Sequence, residues 1–168
     1  MALLMLLSCK KDSRTELFTI SFPPPPINFE ILPGLNTFDT HIYTLSPIPT
    51  KFEERLANSG RSAEDVVAIE AKAGALSSIF QDINLDFVNR VSIFIFDPFE
   101  PTNKIEFFYM DPVPFRDKTV IQLFPGIADI SEWVTKDYFG IEIRLDYRQN
   151  TPTLFNMEFA FDLRVMGN

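Results

Sequence analysis

The side chains best suited to acid–base or nucleophilic chemistry are few, and they lie far apart in the sequence. The chain has one histidine, His41, and one cysteine, Cys9. A catalytic triad needs a base within reach of its nucleophile, and no Gly-x-Ser-x-Gly turn presents a serine here. A zinc site requires several Cys or His ligands. We therefore expect no catalytic residue and no cofactor, and we interpret His41 as an ordinary strand histidine.

Acidic residues beside turns are the remaining candidates for metal binding or hydrolysis. Four of them border the turns around three predicted strands: Asp97, Glu100, Asp111 and Asp117. Oxygen-rich loops can bind Ca²⁺, and two carboxylates facing one cleft can hydrolyse glycosides. Their spacing matches neither kind of motif. A small hydrolase that uses these acidic loops is therefore the alternative function, and its carboxylates would have to converge in three dimensions.

A cluster of aromatic residues offers a different kind of site. Trp133, Tyr138 and Phe139 lie close together just before a predicted strand. Aromatic rings can stack on the apolar faces of sugars, and Trp and Tyr also carry a polar group. The cluster could therefore form a platform for a glycan partner. The favoured alternative is that Trp133 and Phe139 plug one end of the core.

Composition and residue spacing both favour β-structure as the scaffold for these residues. The chain has 18 Phe and 13 Pro against 6 Gly. Aromatic residues suit a pleated, half-buried surface, and Pro is excluded from helix interiors. Apolar and polar residues alternate in many segments, most regularly between Phe155 and Val165, as in strands with one face in water. Strands are predicted at 16–22, 27–32, 37–45, 66–73, 91–96, 105–110, 119–124, 141–148 and 155–165.

Two short helical segments interrupt the strands. Thr50 and Glu53 have the spacing of a capping box, and Gly60 stands where a glycine ends a helix, which predicts a helix at 51–59. A helical turn is predicted from Asp129 through Trp133 and Val134. The predicted fold class is all-β: an antiparallel two-sheet β-sandwich, immunoglobulin-like or jelly-roll-like, with one or two short helices.

Length and charge limit the remaining possibilities. A chain of 168 residues has the size of a single domain. Its formal net charge is −8, and its 15 Lys and Arg residues are scattered rather than clustered. A surface that binds nucleic acid needs clustered positive charge, so we expect no nucleic-acid partner.

The first residues carry the most specific signal in the chain. An apolar run ends at Cys9 and is followed at once by Lys10 and Lys11. The run is too short to span a bilayer, which takes about 20 residues, and it looks like the end of a secretory signal. The segment Leu6–Cys9 resembles the lipobox of bacterial lipoproteins. That resemblance implies a signal remnant at 1–9 with lipid attached to Cys9, a tether at 10–14 and one domain at 15–168.

A wider resemblance covers nearly the whole chain. It rests on the lipobox-like start, the turn at Ile31–Gly34, the passage Asp86–Ile93 and the turn at Asp129–Ile130. Together these resemble small β-sandwich lipoproteins of the Bacteroidota. The resemblance implies a lipid anchor in the bacterial cell envelope, at the outer membrane. We expect a non-enzymatic binding or structural module with a protein or glycan partner.

Overall fold

The fold is taken from a computed structural model that describes residues 14–22, 27–116 and 118–168. The predictions made for Cys9, for residues 10–13 of the tether and for the metal candidate Asp117 lie outside the described residues. Within them, the chain is dominated by antiparallel strands.

Nine strands and two short helices make up the described chain. The strands are β1 (Thr15–Phe22), β2 (Asn28–Ile31), β3 (His41–Pro49), β4 (Ala68–Ser78), β5 (Val88–Asp97), β6 (Glu100–Met110), β7 (Val120–Pro125), β8 (Tyr138–Tyr147) and β9 (Phe155–Gly167). The helices are α1 (Phe52–Asn58) and α2 (Ser131–Val134), and a 3₁₀ turn spans Ala63–Asp65. The prediction of an all-β fold with two short helices is confirmed.

The strands form two packed sheets. Sheet one has the order β1-β9-β4-β7, and β2 continues along the edge of β9 that β1 occupies. Sheet two has the order β3-β8-β5-β6. A short pairing of Tyr109 with Phe124 and of Phe108 with Pro125 joins β6 to β7, so the two sheets meet along one side.

The order of the strands is that of a jelly roll. The chain crosses from one sheet to the other after β2, β3, β4, β6, β7 and β8, and only β5 and β6 form a hairpin within one sheet. If β1 and β2 count as one interrupted strand, the eight strands form four antiparallel pairs: β1 with β9, β3 with β8, β4 with β7, and β5 with β6. This is the pairing of one long hairpin rolled onto itself. The structure thus selects jelly-roll topology from the two predicted alternatives.

Aromatic side chains fill the space between the sheets. Every second residue of β9 from Phe155 to Val165 is buried, as its alternation predicts. The rings of Phe159 and Phe161 stack with centroids 4.8 Å apart, and Phe107 meets Phe161 edge-on at 5.6 Å. Such pairs contribute about 0.5–1.5 kcal/mol each beyond the burial of their area. Most of the phenylalanines are therefore core residues.

Strand β4 is longer than the alternation suggested. The predicted strand ended near Gly74, but β4 continues to Ser78. A Cβ atom at Gly74 would lie 3.0 Å from the ring of Phe108, so the glycine makes room for that ring. Gly74 is therefore part of the packing and does not interrupt the strand.

Strand β3 begins later than predicted. The side-chain oxygen of Asn36 accepts hydrogen bonds from the backbone N–H groups of Phe38 and Asp39. This turn holds the residues before His41 out of the sheet, because Asn side chains compete with strand hydrogen bonds. The strand then runs on to Pro49, past a shift in register between Leu45 and Ile48.

The predicted capping box at the start of α1 is wrong. Thr50 is buried, and its hydroxyl donates to the carbonyl of Lys136 instead of closing a box with Glu53. The chain enters the helix through Lys51 at φ 50°, and the hydroxyl oxygen of Thr50 accepts from the N–H of Phe52. The glycine signal at the other end is confirmed, because Gly60 has φ 68°.

The two ends of the sandwich are built differently. The terminal end is the end at which β1 begins and β9 finishes, and the distal end is the opposite one. The terminal end carries Arg14 and the connections 50–67, 98–99 and 126–137. The distal end carries the connections 32–40, 79–87, 111–119 and 148–154.

Candidate functional site

The aromatic residues predicted as a platform do not form one. Trp133 is 5% exposed, and Phe139 is fully buried against Phe22, with ring centroids 5.4 Å apart. Tyr138 alone of the three is accessible, at 48%. Trp133 lies in the four-residue helix α2, and its side chain enters the core together with that of Ile130, the residue before the helix. The alternative prediction of a plug at one end of the core describes Trp133 and Phe139 correctly.

The length of the molecule separates Asp111 from the other two described acidic candidates. Asp97 and Glu100 pair at the terminal end of β5 and β6, whereas Asp111 follows β6 at the distal end. The eleven residues of β6 span about 35 Å. Asp111 therefore cannot share a cleft with Asp97 and Glu100. No group of three metal-ligating side chains occurs within residues 14–22, 27–116 and 118–168.

The negative charge of Asp97 is stabilised by neighbouring groups. Lys136 Nζ lies 2.7 Å from its carboxylate, and the N–H of Phe99 also donates to it. Hydrogen bonds from Lys136 and from the Phe99 backbone lower the pKa of Asp97. A general acid needs a raised pKa, so this carboxyl does not have the environment of one.

His41 has a structural environment. Its Nε2 is 2.9 Å from the carbonyl oxygen of Asn36, and its ring stacks on Tyr147 at 4.8 Å. The Tyr147 hydroxyl in turn lies 3.1 Å from that of Tyr43, and burial raises the pKa of Tyr147. These contacts hold the connection 32–40 against β8, which agrees with the interpretation of His41 as a strand histidine.

The distal end displays large apolar side chains from all four of its connections. Six of them project there: Leu32, Phe38, Ile79, Phe80, Phe115 and Leu154. Phe38 is 94% exposed and Phe80 is 84% exposed. Phe80 stands at a tight turn, since the next residue, Gln81, has φ 53°. Exposed apolar groups gathered on one side of a molecule are characteristic of interaction surfaces.

Arg148 ties three of the distal connections together. Its guanidinium donates to the carbonyl oxygens of Val88 and Val113. It also lies over the ring of Phe115, 5.6 Å from the centroid, and its own N–H donates to the carbonyl of Phe87. Charge-assisted hydrogen bonds of this kind are stronger than neutral ones. Phe115 is therefore held in place although two thirds of it is exposed.

Thr151 attaches the first distal connection to the last. Its side chain is buried, and its hydroxyl accepts from the N–H of Leu35 and donates to the carbonyl of Leu32. The N–H of Gly34 bonds to the Thr151 carbonyl at 2.9 Å. The connections are thus fixed to one another, and the surface they present is preformed.

A groove of about 360 Å³ runs between the connections 79–87 and 148–154. Its walls are largely apolar, with Phe80 and Leu154 at the rim and Ile83 and Phe155 inside. Asp82 supplies a carboxylate, which accepts a hydrogen bond from Ser78. An apolar groove with a few polar groups has the usual make-up of a binding site.

A second concavity, of about 390 Å³, lies on the outer face of sheet one. Its floor consists of small residues, among them Ala73, Ala75 and Ala160. Small side chains offer little area and few hydrogen bonds to a ligand. The distal groove and its exposed rim are therefore the better candidate site.

Comparison with known proteins adds no precedent for this site. No protein-family profile, curated protein or solved structure matches the chain. In the described ranges 14–22, 27–116 and 118–168, no helix is long and apolar enough to cross a membrane.

The distal residues form no cluster in the sequence, so local patterns did not predict them as a site. The six side chains are spread over four connections, which the packing of the sheets brings to one end of the molecule. A local signal existed at Phe38, a large apolar residue between the turn formers Asn36 and Asp39. A buried strand position does not have such neighbours on both sides, so the context indicated exposure.

Proposed function

We propose that the chain is a non-enzymatic binding module of the bacterial cell envelope. A lipid on Cys9 would anchor it to the outer membrane, and its distal end would hold a protein partner. The observation that carries this proposal is the set of exposed apolar side chains on four connections that Arg148 and Thr151 fix in place.

The position of the N-terminal segment supports this arrangement. Arg14 lies at the terminal end, so an anchor attached before it leaves the distal end free to face away from the membrane. Among the described acidic candidates, Asp111 lies at the opposite end from Asp97 and Glu100, and Lys136 holds Asp97 in an ion pair, which weakens the case for a hydrolase built on them.

The chemistry of the distal rim favours a protein over other partners. Phe38, Phe80 and Phe115 are the aromatic anchors, and aromatic residues on a fixed surface carry much of the binding energy at protein interfaces. The mixture of Phe, Leu and Ile suits apolar side chains of another protein better than hydroxyl groups. The preformed connections also reduce the ordering entropy that binding costs.

The anchor is tested by mass. The gene is expressed in a host that processes lipoproteins, and the mature N-terminus is measured with and without Cys9→Ala. We expect an acylated mass beginning at Cys9 that the variant abolishes. An unmodified chain that keeps residues 1–8 would contradict the envelope part of the proposal.

The partner surface is tested by crosslinking in the native cells. A photoreactive amino acid is placed at Phe80 or Phe38, and at Gln122 on the outer face of sheet one as the control. We expect one discrete protein adduct from the two distal positions, lost when Leu154→Asp is added. Equal crosslinking from Gln122, or no adduct from either distal position, would contradict the assignment.

A glycan is the second candidate partner, because of a polar depression beside the distal groove. Asn84, Asp86, Gln149 and Asn150 line it, and amide and carboxylate groups are suited to hydroxyl groups. Asn150→Ala should abolish glycan binding if this depression is the site. Glycan binding that survives Asn150→Ala but is lost with Phe80→Ser would place the sugar on the apolar rim instead.

A further inference from the structure

Two of the most exposed apolar side chains lie at the terminal end, away from the distal surface. Phe99, at the tip of the β5–β6 hairpin, is 89% exposed, and Ile127, after β7, is 94% exposed. Tyr138 and Val67 are partly exposed at the same end. Hairpin tips are usually polar, so a phenylalanine there calls for a physical explanation.

The chain leaves the sandwich at this same end, from a fixed position. Arg14 precedes β1, and its guanidinium lies 3.2 Å from the carboxylate of Glu70. Glu70 is largely buried and also contacts Arg164 at 2.7 Å. The ion pairs hold Arg14 on the sheet beside the terminal end.

The length of the intervening segment limits how far this end can be from a lipid. Five residue steps separate Cys9 from Arg14, and even fully extended they reach only about 18 Å. The eleven residues of β4 span about 35 Å, so the distal end begins much further away. A lipid on Cys9 therefore keeps the terminal end close to the bilayer.

We propose that the terminal end is a membrane-contact surface, in which Phe99 and Ile127 enter the bilayer interface beside the lipid anchor. This inference rests on the proposed function, since it takes its geometry from a lipid at Cys9. Apolar side chains at loop tips gain free energy when they enter the interface. Two such contacts at a distance from the tether hold the domain upright and direct the distal end outward.

The charges around the two tips indicate the kind of lipid. Exposed carboxylates at this end, among them Glu100, Glu132 and Asp137, outnumber the exposed basic groups of Lys51 and Arg61, and the nearby Lys136 is paired with Asp97. An acidic rim is repelled by the negative surface potential of anionic lipids. The contact should therefore be closest on zwitterionic lipid and weaker on an anionic bilayer.

The test uses the only cysteine of the chain as a chemical anchor. The full chain is coupled through Cys9 to a maleimide phospholipid in phosphatidylcholine vesicles that contain lipids brominated on their acyl chains. Tryptophan is introduced by Phe99→Trp or Ile127→Trp, with Phe80→Trp at the distal end as the matched control. Trp133 is buried, and its signal is subtracted by measuring the parent chain.

We expect quenching at positions 99 and 127 to exceed that at position 80 several-fold and to fall when phosphatidylglycerol is added. Equal quenching at all three positions, or none at 99 and 127, overturns the membrane contact. An emission shift at position 99 that follows protein density, without quenching by brominated lipid, would mean that a second copy covers the tip, and this also overturns it. Quenching that rises with phosphatidylglycerol contradicts the assignment to zwitterionic lipid.

The chemical anchor separates this inference from the proposed function. Coupling through the Cys9 thiol does not depend on acylation in the cell, so failed quenching leaves the lipoprotein proposal standing. An unmodified Cys9 in the cell overturns that proposal, whatever the vesicles show.

Discussion

The two ends of the sandwich place the same residue types in opposite environments. At the terminal end, Trp133 and Phe139 are buried, and the helix α1 adds Phe52 and Leu56 to the core. At the distal end, Phe38 and Phe80 project from short connections that run over the surface. Both ends are closed, one by an apolar plug and the other by polar bridges.

The comparison shows why residue type alone does not locate a site. The distal end holds its connections together with hydrogen bonds from Arg148 and Thr151, which leaves its apolar side chains free to meet a partner. The terminal end uses most of its large apolar side chains for its own closure, and the tips Phe99 and Ile127 are the most exposed of the rest. An aromatic side chain is available for binding where hydrogen bonds from polar groups, and not the aromatic side chain itself, hold its connection in place.

The largest expected effect comes from removing the plug. Trp133→Ala should lower the free energy of unfolding by about 3–5 kcal/mol, because it leaves a large cavity in the core. Phe80→Ala, the matched distal variant, should change it by less than about 0.5 kcal/mol, because the side chain is exposed. Urea unfolding of both variants checks this. A comparable loss of unfolding free energy in the two variants would contradict the view that Trp133 belongs to the core and Phe80 does not.

The next effect concerns the guanidinium that joins three distal connections. Arg148→Met should lower the free energy of unfolding by about 2–3 kcal/mol, because two buried carbonyl groups lose a charged donor. Hydrogen exchange should rise in 79–87 and 111–119 and stay unchanged at the terminal end. Arg116→Met, on the same end but exposed, is the control. If these connections stay protected from hydrogen exchange in the Arg148 variant, other contacts hold the distal surface.

A smaller effect is expected from the hydroxyl that bridges 32–40 to 148–154. Thr151→Val keeps the shape of the side chain but leaves the N–H of Leu35 and the carbonyl of Leu32 without this partner. The free energy of unfolding should fall by about 1–2 kcal/mol. Thr153→Val, at an exposed position of the same connection, should have almost no effect. Thermal unfolding monitored by circular dichroism measures both.

The smallest effect belongs to the terminal end and depends on pH. Burial opposes ionisation of Asp129, but hydrogen bonds from Ser131 and from the Ile69 backbone outweigh it and lower its pKa. The stabilisation is therefore complete above the unfolded pKa of about 4 and is lost as pH falls through the lower folded value. Asp129→Asn should lower the free energy of unfolding by about 1 kcal/mol at pH 7 and change it little at pH 2. An equal loss at both values would show that the charge has no role.

Several elements were predictable because they depend on neighbours in the sequence. The alternation in β9 and β8, the glycine after α1 and the helical turn that contains Trp133 follow from local patterns. Thr50 was predicted wrongly because its hydroxyl bonds to Lys136, which is distant in sequence and close only in the fold. The end of β4 was predicted too early for the same reason, since the ring that occupies the space at Gly74 belongs to Phe108.

The sequence by itself determined that this chain folds as two antiparallel sheets around a phenylalanine-rich core, because alternation with period two leaves each strand one face to bury. Only the tertiary structure decided that the strands follow jelly-roll order and that four connections meet at the distal end. It also decided that Trp133 is buried while Phe80 is exposed. The physical reason is that the burial of a side chain depends on which strands pack above it, and that pairing joins residues far apart in the chain.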